Sequence, residues 1–310
     1  MQRAMFAVLA LAGAVLMLAG ALGRMEAAPP AEQPTFATAR EAAQALIDAA
    51  GKNDAAAMLK LFGPAGKDIV NSGDAAEDKR MLEEFATRAR AKMRLEVDPG
   101  NPDRATLVVG AADWPLPVPL VRKGGQWRFD AAEGRMEVLA RRIGRNELTA
   151  IDVCRGYVEA QMEYATKDHD GDGNLEYAQK IVSSAGKKDG LYWEGEPKSL
   201  VPKAFADAAA ALLAEGKKLA PYHGYYYRVL KAQGPDAPGG AVDYVVKGDM
   251  IGGFALLAWP AEYGVSGIKT LQVSHSGTVY EKDLGPMTAA LARAMTRFNP
   301  SKDWKAVEGE

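Results

Sequence analysis

"AAEGRMEVLARRIGRNELTAIDVCRGYVEAQMEYAT", residues 131–166, decides the architecture. Leu148, Ile151, Cys154, Val158, Met162 and Ala165 recur at helical spacing, which predicts an amphipathic helix with the Cys154 thiol on its apolar face. Cys154 is the one cysteine of the chain and cannot form an internal disulfide. Its place on the apolar face predicts a buried structural thiol instead of a reactive one. Gly144 predicts an interruption, and Asn146 has the chemistry of an N-cap. The reading therefore gives helix from Ala131 onward, a break, and a second long helix from Asn146 to Thr166.

Before this segment come helices and then strands. A helix is expected from about Thr38 to Gly51, a second capped by Asn53-Asp54 and closed by "GPAG", and a third from Asp74 to about Lys92 with Met81, Leu82 and Phe85 inward. "MRLEVDP", "ATLVVG" and "LPVPLVRKGGQWRFD" then alternate in the manner of strands, with a hairpin at Lys123-Gly124-Gly125. After it, "LEYAQKIVSS" (175–184) and "AFADAAAALLAEG" read as helices. The remainder is antiparallel β: "GYYYRVL", "AVDYVVKG", the strongly apolar "MIGGFALLAWP", and "IKTLQVSHSGTVYEKD" turning at Ser276-Gly277. A last helix is expected near Met287 to Phe298. Helices and strands in separate runs give an α+β chain.

Composition bounds the partners and the compartment. The 310 residues are 48% hydrophobic and 25% charged with a net charge of -2, which argues against a nucleic-acid binder. The pairs Arg141-Arg142 and Lys187-Lys188 read as solvated faces. Arg3 precedes an uncharged run, Ala4 to Gly23, with small residues Ala19 and Ala21 near its end and "RMEAAPPAEQP" beyond. This is the pattern of a secretory signal peptide, residues 1–23, followed by a linker, 24–35. The rival is an uncleaved anchor, the only route by which the reading brings the chain to a membrane. No cysteine follows the apolar run, which excludes a lipoprotein anchor. The expected location is periplasmic or secreted.

"KDHDGDGNLEYAQK", residues 167–180, is the one credible ion site. Counted from Asp168 as an EF-hand loop, positions 1, 3 and 5 are Asp168, Asp170 and Asp172, Gly173 is position 6 and Asn174 position 7. Leu175 would pin the loop to a core. Position 12, where a bidentate glutamate belongs, is Gln179, and Glu176 at position 9 is the substitute carboxylate. Such a loop predicts weak structural calcium binding, at about 10⁻⁴–10⁻³ M, fastening the long helix to the next one. The alternative is a solvated Asp/Gly turn without an ion. His169 is expected to face solvent.

Elsewhere the chemistry is thin. "PYHGYYY" gathers Tyr222, His223, Tyr225, Tyr226 and Tyr227, readable as a proton-transfer or stacking surface but more simply as a strand packed on both faces. "DGLYW" carries Asp189, Tyr192 and Trp193, again read as packing, and His275 sits in a hairpin turn. No nucleophile has a base at recognisable spacing, and no G-x-S-x-G, H-E-x-x-H, paired Cys/His motif or P-loop is present. No enzyme is expected.

The segments "DWPLPVPLV", "GGQWRFDAAEGRMEVLARRIGRNEL", "DGDGNLEYAQK", "DGLYW", "PYHGYYYRVLKAQGP" and "MIGGFALLAWPAEYGVSGIKTLQVSHSGTVYEKDLG" together resemble the bacterial family called domain of unknown function 2950. The resemblance implies an exported bacterial protein and carries no catalytic residues. Residues 36–143, three helices before a curved sheet, resemble an NTF2-like cone of the kind that holds a ligand in many of its members. Residues 144–310 resemble the globular part of type IV pilins and pseudopilins. One departure is that the long helix here follows a whole domain and the charged residues Arg141, Arg142, Arg145 and Glu147. The reading is a non-enzymatic envelope protein that binds or assembles with an unknown envelope protein. The alternative is an exported enzyme or small-ligand binder using the cone or the Tyr/His-rich strand.

Overall fold

In the computed structural model, which describes residues 33–213 and 220–308, the first helix opens at Thr38 with a capping box. The Thr38 hydroxyl accepts from the Glu41 amide at 3.2 Å, and the Glu41 carboxylate accepts from the Thr38 amide at 3.2 Å. Helix α1 (Ala39–Gly51) is followed by α2 (Ala55–Phe62), capped by Asp54, a short α3 (Lys67–Val70), and α4 (Ala75–Ala91), capped by Asp74. Strands β1 (Met93–Asp98), β2 (Asn101–Val109), β3 (Trp114–Pro115), β4 (Leu120–Lys123) and β5 (Gln126–Phe129) form one antiparallel sheet in the order β1-β2-β4-β5, with β3 on β2. Leu46, Ile47, Phe62, Leu107, Leu120 and Phe129 are buried between these helices and this sheet. Each such side chain contributes about 1.5–3 kcal/mol by leaving water.

Helix α5 (Ala131–Tyr164) follows, 34 residues long and capped by Asp130. The interruption expected at Gly144 is absent. A lone helical glycine costs about 1 kcal/mol relative to alanine, which packing on both sides of it outweighs. Asn146 is therefore no cap. It is buried within the helix, and its Nδ2 donates to the Ser266 carbonyl at 2.9 Å. The buried face also differs from the one expected: Asn146, Ala150, Ile151, Cys154, Tyr157, Gln161 and Tyr164 point inward, while Leu148 and Met162 are exposed. The true seam uses polar-tipped side chains whose ends find partners. Gln161 donates to the Tyr157 hydroxyl at 2.8 Å, and the Tyr164 hydroxyl donates to the Lys188 carbonyl at 2.7 Å.

The helix expected over 175–184 does not form. The segment is irregular, with one isolated bridge from Val182 to Tyr192, and satisfies part of its backbone nonlocally. Tyr177 donates to the Met250 carbonyl at 2.9 Å. Gln161 pairs with Ala178 in the manner of a strand, accepting from its amide at 2.9 Å and donating to its carbonyl at 2.8 Å.

Helix α6 (Lys203–Leu213) leads to β6 (Tyr225–Leu230). Two small ribbons follow, β7 (Ala232–Gln233) with β8 (Val242–Asp243), and β9 (Val245–Val246) with β10 (Asp249–Met250). Then come β11 (Ala255–Pro260), β12 (Lys269–Ser274), β13 (Val279–Asp283), α7 (Thr288–Ala294) and β14 (Lys305–Ala306). The second sheet is antiparallel in the order β14-β13-β12-β11-β6. Every residue of β11 is buried, which accounts for the unbroken apolar run "ALLAWP".

Helices and antiparallel sheets make the chain α+β. It has two hydrophobic cores, yet residues 32–310 form one compact unit, and the boundary read between residues 143 and 144 falls inside α5. Residues 1–32, which hold the expected leader and most of the linker, lie outside the described residues. Among the described residues no helix is long and apolar enough to cross a membrane.

Candidate functional site

The helices before the first sheet stop short of filling the space between α4 and α5. A cavity of 170 Å³ remains, walled by apolar side chains that include Leu46, Phe62, Leu82, Phe85, Trp114 and Val138. Met81, Leu82 and Phe85, expected inward, do turn inward, but onto this cavity, and are only half-buried. Charged groups ring one side of it: Glu77 and Asp78 from α4, and Arg141, Arg142 and Arg145 from α5, with Ser72 and Asn146. Residues 138, 141, 142 and 145 fall on one helical face, so the arginines share the side of α5 that carries Val138; Arg142 is half-buried there, while Arg141 and Arg145 are exposed.

Both carboxylates have partners, Glu77 on both oxygens and Asp78 on one. Arg80 reaches Glu77 through Nε at 3.0 Å and Nη2 at 2.7 Å, and His223 Nδ1 lies 3.7 Å away. Burial works to raise Glu77, but the Arg80 hydrogen bonds and the charges of Arg80, His223 and Arg145 outweigh it and hold the carboxyl below its ordinary value. Asp78 accepts from the Ser72 amide at 3.0 Å, and burial raises its carboxyl despite the hydrogen bonds from Ser72. Arg142 donates to the carbonyls of Asp68 at 2.5 Å and Ile69 at 2.6 Å, and burial lowers its guanidinium. The solvated face read for Arg141-Arg142 thus holds for Arg141, which is exposed, and fails for Arg142. Arg141 donates to Glu137 at 2.7 Å and lies over the Trp114 ring. Arg145 differs from all of these. Among the described residues its side chain makes no hydrogen bond, and its nearest carboxylate oxygen, on Glu77, is 3.9 Å away.

The rim is pinned by the second half of the chain. Asp74 accepts from the Glu77 amide with one oxygen at 3.1 Å and from the Gly224 amide with the other at 3.0 Å. Gly224 sits with His223 in a two-residue turn between Tyr222 and Tyr225, both at positive φ, +50° for His223 and +76° for Gly224. A Cβ on Gly224 would lie 2.5 Å from Asn146 Nδ2, so the position requires glycine twice over. "PYHGYYY" is thus a tight turn that presents His223 to Glu77, followed by a strand packed on both faces. Tyr225 and Tyr227 are buried, and the Tyr225 hydroxyl donates to the Lys269 carbonyl at 2.9 Å.

The acidic loop gathers Asp168, Asp170 and Asp172 on the surface, each with a carboxylate oxygen within 4.8 Å of the others, a group that could hold a metal ion. Asp168 accepts from the amides of Gly171 at 2.7 Å and Gly173 at 2.9 Å, which hold its carboxyl below the ordinary range. Asn174 donates from its backbone and its amide to Asp172. Glu176 accepts from the Met250 amide at 3.3 Å. Partial burial, with the charges of Asp170, Asp249 and Asp172, raises the Glu176 carboxyl. Gln179 is turned elsewhere: its Nε2 donates to the Gly248 carbonyl at 2.5 Å and its Oε1 accepts from Lys231 at 3.0 Å. Leu175, expected to pin the loop, is exposed; Gln161, through Ala178, holds the exit segment instead. His169 is half-buried, stacked on Tyr164 with centroids 4.0 Å apart, and does not face solvent freely. Asp249, from β10, joins the acidic group and is not visible in the local sequence, being 75 residues from Asn174.

Cys154 is fully buried, and burial pushes its thiol up to about 12. Asp189 of "DGLYW" binds Lys180 at 2.8 Å and the Ser184 amide at 2.7 Å, a structural knot. The sequence reading passed over Glu77, Asp78, Arg142 and Arg145. The available signal was the run Val138, Arg141, Arg142, Arg145, in which cations share the helical face of an apolar residue.

Fold and site define an α+β protein with a partly open apolar cavity, a charged rim and a separate surface acidic loop. The chain belongs to the family described as protein of unknown function (DUF2950), whose sequence pattern matches residues 33–307. No curated protein and no solved structure matches the chain.

Proposed function

We propose that this chain is an exported, non-enzymatic binding protein of the bacterial envelope, periplasmic or secreted, that takes a small ligand into the cavity between α4 and α5. The carrying observation is the cavity itself: 170 Å³ of apolar space with polar groups converging on one side, the usual form of a small-molecule site. Helices α1 to α4 with the first sheet then act as an NTF2-like cone. The second half, a long helix laid on an antiparallel sheet, serves as a pilin-like platform that braces the cone's rim. In the Tyr/His-rich strand, Tyr225 and Tyr227 are buried in packing.

The acidic loop belongs to the same reading as a structural calcium clasp. Asp168, Asp170 and Asp172 supply oxygens suited to a hard cation, and Glu176 and Asp249 add charge nearby. With Gln179 engaged elsewhere the closing ligand is missing, and binding near 10⁻⁴–10⁻³ M is expected. A docking role toward an unknown envelope protein is the second reading, favoured by Leu148 and Met162, exposed along the outer side of α5.

The test is thermal melting of the chain with and without 2-phenylethanol at millimolar concentration. A raised melting temperature is expected, and Val138→Phe, which fills the cavity from α5, should erase the shift. No shift in the parent protein refutes the cavity as a binding site. For the clasp, calorimetric titration with calcium should give heat that Asp170→Ala abolishes. No heat at millimolar calcium removes the ion from the reading.

A further inference from the structure

The geometry points to a small monocarboxylate with a single-ring or short branched apolar body as the ligand of the α4–α5 cavity, its carboxylate held by Arg145. This rests on the cavity reading above and deepens it. Three observations carry it.

The first is the hydrogen-bond balance of the rim. Glu77 is occupied by Arg80, and Asp78 takes the Ser72 amide on one oxygen. The larger free capacity is donor capacity, on the half-buried Arg142 and the exposed Arg145. Arg145 has five N–H groups and no hydrogen bond among the described residues. Arg142, spending Nη1 and Nη2 on the carbonyls of Asp68 and Ile69, keeps its Nε–H. A ligand completing this rim must bring acceptors, and a planar carboxylate matches a guanidinium fork best. An amine would meet a filled Glu77, an Asp78 with one oxygen engaged, and guanidiniums of its own sign.

The second is size. A cavity of 170 Å³ is close to the ~150 Å³ apolar void that accommodates a benzene molecule. One ring or a short branched chain fills it.

The third is what lies outside. A second hollow shares Met81, Phe85, Trp114, Arg141 and Arg145 with the cavity and adds Arg80 and Arg88 around Glu84. The approach is thus lined by four guanidiniums and one carboxylate, and that carboxylate is bonded to Arg80 and Arg88. Arg80 and Arg141 are also paired, with Glu77 and Glu137, which leaves a small positive balance that favours entry of an anion, with a strength that falls as salt rises.

The experiment compares three probes of one shape, phenylacetate, 2-phenylethanol and phenethylamine, by isothermal calorimetry on the full chain, with tryptophan fluorescence as a second readout because Trp114 lines both hollows. Phenylacetate should bind at least tenfold tighter than the alcohol, and the amine weakest of the three. Arg145→Gln should erase the advantage of the acid while leaving the alcohol's affinity within twofold, and Arg145→Lys should restore part of it. If the alcohol or the amine binds as tightly as the acid, the anion assignment falls and the cavity reading stands. If none binds, both fall. An acid preference unchanged in Arg145→Gln overturns the role given to Arg145.

Discussion

Replacing Gly144 by alanine should stabilise this protein, and replacing Gly134, ten residues earlier in the same helix, should destabilise it. Both lie inside α5. A Cβ built on Gly144 meets nothing within 4 Å, so alanine there crowds nothing and restricts only the unfolded chain. The gain is about 0.5–1 kcal/mol, which raises Tm by roughly 1–4 °C in a folded unit of this size. On Gly134 the same atom would lie 2.6 Å from Val118 Cα and 2.7 Å from the Pro117 carbonyl oxygen, both backbone. Helix α5 and the connection between β3 and β4 would have to separate, and overpacking of this kind costs about 1–3 kcal/mol against the same conformational gain, for a net loss of up to about 2.5 kcal/mol. Urea unfolding followed by far-UV circular dichroism gives both values. A destabilised Gly144→Ala would mean that α5 is broken at residue 144. A stabilised Gly134→Ala would mean that α5 is not seated on residues 117–118.

Glu77→Gln should lower stability at neutral pH and lose its effect in acid. The carboxyl is held below its ordinary value of 4.5, so its contribution is present above that pH and disappears as pH falls through the lowered value; parent and variant melting curves that stay apart at pH 2 would contradict this. Gln161→Leu leaves the Ala178 amide and carbonyl buried without partners, which should cost about 2–4 kcal/mol by chemical denaturation, and a loss under 1 kcal/mol would refute the pairing. The Cys154 thiol should resist a disulfide reagent in the native protein and react, one per chain, in denaturant. Prompt native labelling would place it at the surface.

Local chemistry made much of this architecture readable in advance. Thr38, Asp54 and Asp74 announce their helices by capping, Gly124-Gly125 and Ser276-Gly277 announce hairpins, and "ALLAWP" announces a central strand. What escaped depended on partners far along the chain. The segment 175–184 has the periodicity of a helix, yet Gln161 and Met250 offer its backbone better bonds than its own residues do. Asn146 has the composition of a cap, and Ser266, 120 residues on, gives it a different task. The acidic loop was visible because its aspartates are adjacent. The cavity was implied only by the likeness to a cone, because no local pattern records a space left between α4 and α5, and Arg142 looks like a surface charge until the helix is packed.

The length of α5 bears on how the molecule comes apart. Thirty-four residues at ~1.5 Å each make a rod of about 51 Å. The early part of that rod is buried in one core through Ala131, the later part in the other through Cys154 and Tyr157. At the crossing, Glu147 accepts from the amides of Ile268 and Lys269, both at 2.9 Å. Neither core can melt without fraying the rod on which the other depends, so heating should produce a single cooperative transition despite the two cores. A protease that nicks α5 near residue 144 would dissolve both together, and residues 36–143 expressed alone would end partway along the helix, with Arg145 and His223 removed from Glu77 and Gly224 from Asp74.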